Sequence, residues 1–136
     1  MKVNLRLAKR MLQAAEKESN SIGVPMVIAV VDEGGNLVAQ QRMDDALLAS
    51  IDISLNKAYT AVAIKIPTHK LSNLSQPGES LFGIDSTNNG RIVIFGGGYP
   101  IKDKNNKVIG GIGVSGGSVE QDMLCAEAGL AVTIGR

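Results

Sequence analysis

The glycine-rich run GGIGVSGGSVEQD at residues 110–122 constrains the fold more than any other feature of the chain. Glycines between an apolar run and a helix start either cradle a phosphate or let two backbone segments approach closely. Ser118 and Gln121 have the spacing of a capping box, so the helix supplies its own partners there. A phosphate loop would carry Lys and then Ser or Thr after its last glycine, and this run continues with Val119 and Glu120. The run therefore predicts close backbone packing and not a nucleotide site.

Length and composition exclude several classes of protein. The 136 residues suffice for one hydrophobic core, so we expect a single domain over residues 1–136. With 14 basic and 13 acidic residues, 3% aromatic residues and no Trp, the chain lacks the features of a nucleic-acid-binding protein. Its longest apolar stretch, residues 26–31, is too short to cross a membrane. The single Cys125 has no disulfide partner within the chain, and no export signal is visible, so we expect a cytoplasmic protein.

Apolar periodicity and turn residues divide the chain into nine elements. Spacings of three and four predict an amphipathic first helix that begins after Asn4 and ends at Gly23. Apolar runs predict the strands, and the pair Gly34-Gly35 predicts a hairpin turn between the first two. The predicted segments are helix 5–22, strands 26–31 and 37–42, helices 46–64 and 68–74, strands 91–95, 100–102 and 107–114, and helix 119–132. The order α-β-β-α-α-β-β-β-α predicts an α+β fold with a five-stranded, mainly antiparallel sheet flanked by helices.

The second predicted helix carries two packing stripes. One is bulky and includes Leu47, Ile51 and Leu55, and the other is small and includes Ser50 and Ser54. Small side chains allow another element to approach closely, whereas bulky apolar ones need to be covered. We expect the sheet to cover one stripe and a neighbour, such as a second subunit, to cover the other. The sequence therefore predicts a homo-oligomer.

Five segments resemble the signatures of one protein family. They are VVDEGGNLVAQQRMDDA at residues 30–46, SLNKAYTA at 54–61, PTHKL at 67–71, GGGYPI at 96–101 and the glycine-rich run at 110–122. In this order and spacing they resemble the GlcG/HbpS-like family, also met as the C-terminal domain of PduO-type proteins. The resemblance implies a profilin-like or PAS-like sheet and self-association. It also implies haem binding, which several members show, whereas others are encoded beside glycolate, glycerol or propanediol utilisation enzymes.

His69 is the residue that best suits a haem iron, because it is the only histidine in the chain. It follows Thr68, the expected cap of the short helix, and Lys57 and Lys70 lie nearby in sequence. These groups, together with Tyr99 between a glycine and a proline, are our candidate haem-binding residues, and we expect no metal other than a haem iron at His69. The competing interpretations are an exposed cap histidine, a solvated lysine face and a tyrosine that packs over its own loop.

An enzymatic alternative starts from RMDDA, where Arg42, Asp44 and Asp45 follow the second predicted strand. Two carboxylates suit a metal or an acid–base pair, but helix capping and pairing with Arg42 explain them as well. One histidine and one cysteine build neither a catalytic triad nor a structural zinc site. Three hypotheses follow: a homo-oligomer that binds haem or a related tetrapyrrole, a non-catalytic accessory subunit of diol, glycerol or glycolate utilisation, and a small-molecule enzyme of that metabolism. The lack of a catalytic constellation favours the first two.

Overall fold

A computed structural model describes residues 2–134 of the chain. Its helices are α1 (Leu5–Ile22), α2 (Ala49–Ile64), α3 (Thr68–Leu74) and α4 (Val119–Ile134). Its strands are β1 (Val27–Asp32), β2 (Leu37–Arg42), β3 (Gly98–Lys102) and β4 (Val108–Ser115). Across the described residues these strands form one antiparallel sheet in the order β2-β1-β4-β3, which confirms the α+β class.

The predicted count of five strands is wrong, because residues 91–95 do not form a strand. The backbone of this segment bonds to a side chain of α2 and not to a neighbouring strand. Oγ1 of Thr60 accepts a hydrogen bond from the N–H of Val93 (3.0 Å) and lies 3.1 Å from the carbonyl oxygen of Arg91. Alternating apolar residues identify extended chain but do not reveal its hydrogen-bond partner. The third strand of the described sheet begins instead at Gly98.

The local signals for α1, the first hairpin and α4 are confirmed. The Asn4 side chain accepts a hydrogen bond from a first-turn N–H (2.8 Å), and Gly23 ends α1 with a left-handed φ of 71°. Gly35, with φ of 77°, forms part of the turn between β1 and β2. At α4 the capping box is present, because the N–H of Ser118 donates to Gln121 Oε1 and the N–H of Gln121 donates to Ser118 Oγ.

Helices α1 and α4 cover one face of the sheet and enclose the main core with it. Side chains of β1 and β4 alternate between the two faces of the sheet, as the pleat requires. The buried apolar side chains of this layer include Leu7, Ala8, Met11, Leu12, Ala15, Ile28, Val30, Ile112, Val114, Cys125 and Ala126. Each fully buried aliphatic side chain contributes about 1.5–3 kcal/mol to stability. Cys125 is thus a core residue.

Helix α2 covers the opposite face with its small stripe, which lies directly on the glycines of β4. A Cβ at Gly111 would overlap the carbonyl oxygen of Ala58, and a Cβ at Gly113 would overlap that of Ser54. Any side chain at these two positions would force the helix backbone away from the strand. The glycine-rich run therefore serves close backbone packing, which is the prediction made from its sequence.

The bulky stripe of α2 lies partly against the sheet, because Leu55 and Val62 pack against a buried residue of β1. Ile51 and Leu55 are half-buried, while Leu47 and Leu48, just before the helix, are 62% and 71% exposed. The small stripe lies directly on the glycines of β4, which bring the helix close to the sheet there. The exposed apolar part of this region is therefore the segment just before α2, at Leu47 and Leu48.

Candidate functional site

Three consecutive glycines, 96–98, carry the chain across α2, from the segment 91–95 into β3. A Cβ at Gly97 would lie 2.6 Å from Nζ of Lys57, and a Cβ at Gly98 would lie 2.5 Å from the carbonyl oxygen of Lys57. The N–H of Gly98 donates to Oγ1 of Thr68 (2.9 Å), whose side chain is buried. Lys57 and Thr68 therefore lie beneath the glycine turn. Thr68 does not cap α3, because Pro67 occupies the cap position.

Lys57 forms a buried ion pair with Asp122 at the start of α4. Its Nζ lies 2.9 Å from Asp122 Oδ2 and donates a second hydrogen bond to the carbonyl oxygen of Val114 (2.9 Å). The other carboxylate oxygen of Asp122 accepts from the N–H of Gly117 (2.9 Å). Burial lowers the pKa of Lys57 and raises the pKa of Asp122, and their mutual attraction opposes both shifts. The pair ties α2, β4 and α4 together, and Lys57 does not line a cleft.

His69, in the first turn of α3, is half-buried and keeps one ring nitrogen unsatisfied. Its Nδ1 is buried without a hydrogen-bond partner. The imidazole ring lies 5.5 Å from the ring of Tyr99, at an interplanar angle of 51°. Lys70, the next residue, is exposed. A buried imidazole nitrogen without a partner costs free energy that a structural histidine normally avoids.

Tyr99 presents its ring to His69 and its hydroxyl to α4. The hydroxyl donates a 2.6 Å hydrogen bond to Glu127 Oε2. Burial raises the pKa of Tyr99, and the carboxylate of Glu127 raises it further. The phenol therefore stays protonated and committed to Glu127, so Tyr99 offers an aromatic surface and not an oxygen ligand.

Apolar side chains of different exposure lie around His69: Tyr99 is buried, Val119 and Met123 are half-buried, and Phe95 is exposed. A Cβ at Gly96 would lie 2.8 Å from Met123 Sδ, 2.9 Å from Val119 Cγ1 and 3.1 Å from His69 Cβ, so these three side chains meet over that glycine. Phe95 is 42% exposed, and its ring centroid lies 5.2 Å from the Lys57 ammonium. We call the surface formed by His69, Tyr99, Phe95, Val119 and Met123 the His69 face.

The His69 face gathers two of the five predicted site residues. His69 and Tyr99 belong to it, Lys70 is exposed beside His69, and Lys57 and Thr68 support the glycine turn from within. Sequence reasoning missed the α4 side chains and Phe95. The spacing of Val119 and Met123, four residues apart on one helix, was a usable signal for a shared face. Nothing in the sequence placed that face against residue 69.

The carboxylates considered for an enzymatic site lie in a cleft that Glu16 and Arg42 also line. Asp44 and Asp45 line a polar cleft of about 590 Å³ between the end of α1 and the end of β2. Neither caps α2, because that helix begins at Ala49 without a side-chain cap. Arg42, expected to pair with them, donates to the carbonyl oxygen of Ala46 (2.9 Å).

Neither a metal-binding cluster nor a membrane-spanning helix occurs among the residues that the structure describes. Within residues 2–134, three or more His, Cys, Asp or Glu side chains nowhere come together in a way that would hold a metal ion. None of the described helices combines the length and apolar character needed to span a bilayer.

Comparison with known proteins assigns the chain to a family. The family profile described as haem degrading protein HbpS-like matches residues 3–131. A 15.0 kDa protein from the dhaT-dhaS intergenic region of Citrobacter freundii is 56% identical over 128 residues, which cover 94% of this chain and 89% of that protein. Corrinoid adenosyltransferase PduO of Citrobacter freundii is 42% identical over 131 residues, which cover 96% of this chain but only 39% of PduO.

Structural similarity agrees with the sequence comparison. The crystal structure of a PduOC–haem complex matches this chain with a TM-score of 0.93 and 41% identity, covering 97% of this chain and 95% of that one. The fold, the profile match and these relatives show that the chain belongs to the HbpS-like family, the family that its sequence segments resemble.

Proposed function

We propose that this protein binds haem at the His69 face, with the imidazole of His69 as the iron ligand. The observation that carries the proposal is the imidazole itself, which is half-buried, keeps Nδ1 without a hydrogen-bond partner and lies among apolar side chains of which Phe95 is exposed. A planar tetrapyrrole needs an apolar surface, an iron ligand and cations for its propionates. A family relative of known structure, PduOC, is a haem complex.

The residues present fit these three requirements. His69 supplies the ligand, the rings of Phe95 and Tyr99 and the thioether of Met123 supply apolar contact, and the ammonium of Lys70 supplies positive charge at the edge. Bound haem would contribute a redox-active iron and visible absorbance. The chain's own residues would hold the macrocycle and exclude water from the side that faces the glycine turn.

A Soret titration with haemin tests the proposal. We expect wild-type protein to shift the Soret band at micromolar concentration, and His69→Ala to weaken binding at least tenfold, equivalent to about 1.4 kcal/mol. Phe95→Ser should also weaken binding, whereas Phe82→Ser, at an exposed phenylalanine outside the His69 face, should not. Absence of any shift for the wild type would refute haem binding, and an unchanged His69→Ala titration would refute His69 as ligand.

A second candidate function is that of a self-associating accessory subunit in diol or glycerol utilisation. Leu47 and Leu48, which are largely exposed just before α2, favour an assembly. A relative encoded in the dhaT-dhaS intergenic region and the similarity to part of PduO connect the chain to that metabolism. We place the protein in the cytoplasm, because its one cysteine is a buried free thiol.

Light scattering tests this second function. We expect the wild type to have the mass of a homo-oligomer and Leu48→Asp to shift it towards the monomer, because a charge would be buried in the contact. Asp52→Asn is the control, because it replaces an exposed residue of α2 without adding a charge. A wild-type monomer at high concentration would contradict the proposal.

A further inference from the structure

Two contacts fix the orientation of the Arg91 side chain. Its guanidinium carbon lies 3.8 Å from the ring centroid of Tyr59, so the planar group stacks on the phenol. Its Nε donates a 3.1 Å hydrogen bond to Oδ1 of Asn56. Both partners belong to α2, which the sheet holds in place. The guanidinium is therefore immobilised before any ligand arrives.

The two contacts leave the terminal nitrogens of Arg91 available. Stacking uses the face of the guanidinium, and the hydrogen bond uses Nε alone. In the described part of the chain no carboxylate comes within salt-bridge distance of Arg91, and the residue is half-buried. Arginine normally presents its two terminal N–H groups as a fork that matches a carboxylate. Here the fork is held in place without an internal anion.

The backbone before Arg91 is held in an unfavourable conformation. Asn88, Asn89 and Gly90 are consecutive left-handed residues, with φ of 53°, 56° and 75°. The hydroxyl of Tyr59 donates to Oδ1 of Asn88 (2.8 Å), so the ring that orients Arg91 also fastens this turn. Non-glycine residues in this region cost about 1–3 kcal/mol each and persist where the surroundings enforce them, often at ligand clamps. Tyr59 thus links the turn and the arginine into one unit.

We propose that Arg91 is the anchor of a second binding site, which takes the carboxylate of a small organic acid. The fork of Arg91 would receive the two carboxylate oxygens, and the amides of the polar turn 88–90 would lie beside the rest of the molecule. A neutral alcohol of the same shape cannot satisfy two parallel N–H donors. The site therefore selects an acid over the corresponding diol.

Thermal unfolding with lactate and with 1,2-propanediol tests the proposal, because the two molecules differ mainly in the carboxylate. Lactate at ten times its Kd should raise the Tm of the wild type by about 5 °C, and the diol should not. Arg91→Lys keeps the charge but loses the fork, so lactate should bind at least tenfold more weakly by calorimetry. Arg10→Lys is the matched control, since that arginine is exposed on α1 and belongs to neither proposed site, and it should respond as the wild type does.

Each variant is compared with itself with and without lactate, so a change in its own stability does not enter the result. Tyr59→Leu, which removes the stacking surface but not the charge, should also weaken lactate binding. A wild type that does not respond to lactate, or an equal response in Arg91→Lys, would overturn the proposal. Loss of haemin affinity in Arg91→Lys without any effect of lactate would also overturn it, because Arg91 would then serve a propionate.

Discussion

The ammonium of Lys57 lies 2.9 Å from a carboxylate oxygen of Asp122, inside the protein and across 65 residues of sequence. The pair joins the helix behind the glycine turn to the helix that carries Val119 and Met123. Because both charges are desolvated, each depends on the other far more than a surface pair would. The position of the His69 face therefore rests on this contact.

Lys57→Met should lower the free energy of unfolding by about 3–5 kcal/mol, because it leaves the Asp122 carboxylate buried without its partner. The double variant Lys57→Met/Asp122→Asn carries no unpaired charge and should lose less than the sum of the two single variants. Urea unfolding measures the free energy of unfolding of the two single variants and of the double variant. Lys9→Met, at an exposed lysine of α1, should change stability by less than about 0.5 kcal/mol. A Lys57→Met protein as stable as the wild type would show that the pair is unimportant.

Gly113→Ala should destabilise the protein more than Gly78→Ala. At Gly113 the new Cβ would overlap the α2 backbone at Ser54, and neither backbone can move without opening the sheet. At Gly78 nothing lies within 4 Å, so only the left-handed φ of 91° opposes the substitution, at a cost of about 1 kcal/mol. The denaturant midpoints of the two variants compare their stabilities, because the slope of unfolding free energy against denaturant concentration should be unchanged. Equal midpoints would contradict the role assigned to the glycine-rich run.

Tyr99 should make stability fall at alkaline pH. Burial and Glu127 raise its pKa in the folded state above the unfolded value of about 10. The contribution of Tyr99 to the free energy of unfolding is complete below the unfolded pKa. It is lost as pH rises towards the folded pKa, because the phenol loses its proton in the unfolded chain before it does so in the folded protein. Urea unfolding at about pH 9 and about pH 11 should show a larger loss for the wild type than for Tyr99→Phe.

A direct titration isolates the same group. In Tyr59→Phe, Tyr99 is the only tyrosine left, since the chain has two. Its phenolate absorbance should appear only above the pH range in which an ordinary tyrosine titrates. Glu127→Gln should lower that pH part of the way towards the ordinary range. An ordinary tyrosine titration would mean that the buried hydrogen bond to Glu127 does not persist in solution.

Cys125 should be inert to thiol reagents in the native protein. Burial, with smaller effects from the carboxylates of Glu18 and Asp122, raises its pKa to about 11. At neutral pH almost no thiolate forms, and the side chain lies within the core. Labelling with a disulfide reagent should require denaturant. Rapid labelling without denaturant would mean that α4 opens readily.

Elements encoded by local signals were predictable from the sequence, and those set by distant contacts were not. The caps at Asn4 and Ser118 and the turn at Gly35 involve neighbours within a few residues, so their sequence patterns identified them. The segment 91–95 has the apolar pattern of a strand, but its partner, Thr60, lies on a helix. A pattern along one segment contains no information about which element will satisfy its backbone.

The candidate site shows the same division. His69 and Tyr99 were identified because a lone histidine and a tyrosine beside glycines are unusual, and the structure places their rings together. Lys57 was grouped with them by its distance along the chain. Its burial depends on Asp122, where the sequence predicts only a helix start. The ion pair between remote segments therefore buries Lys57 and prevents it from facing a ligand.

Chemical rescue tests the central claim most directly, because it separates ligation by His69 from a structural effect of its loss. His69→Gly should bind haemin at least tenfold more weakly than the wild type, and free imidazole should restore a wild-type Soret band in the protein fraction after gel filtration. Leu74→Gly, an exposed leucine at the end of the same helix, should need no imidazole. If His69→Gly binds haemin with the wild-type band and affinity before imidazole is added, the iron is not held by His69.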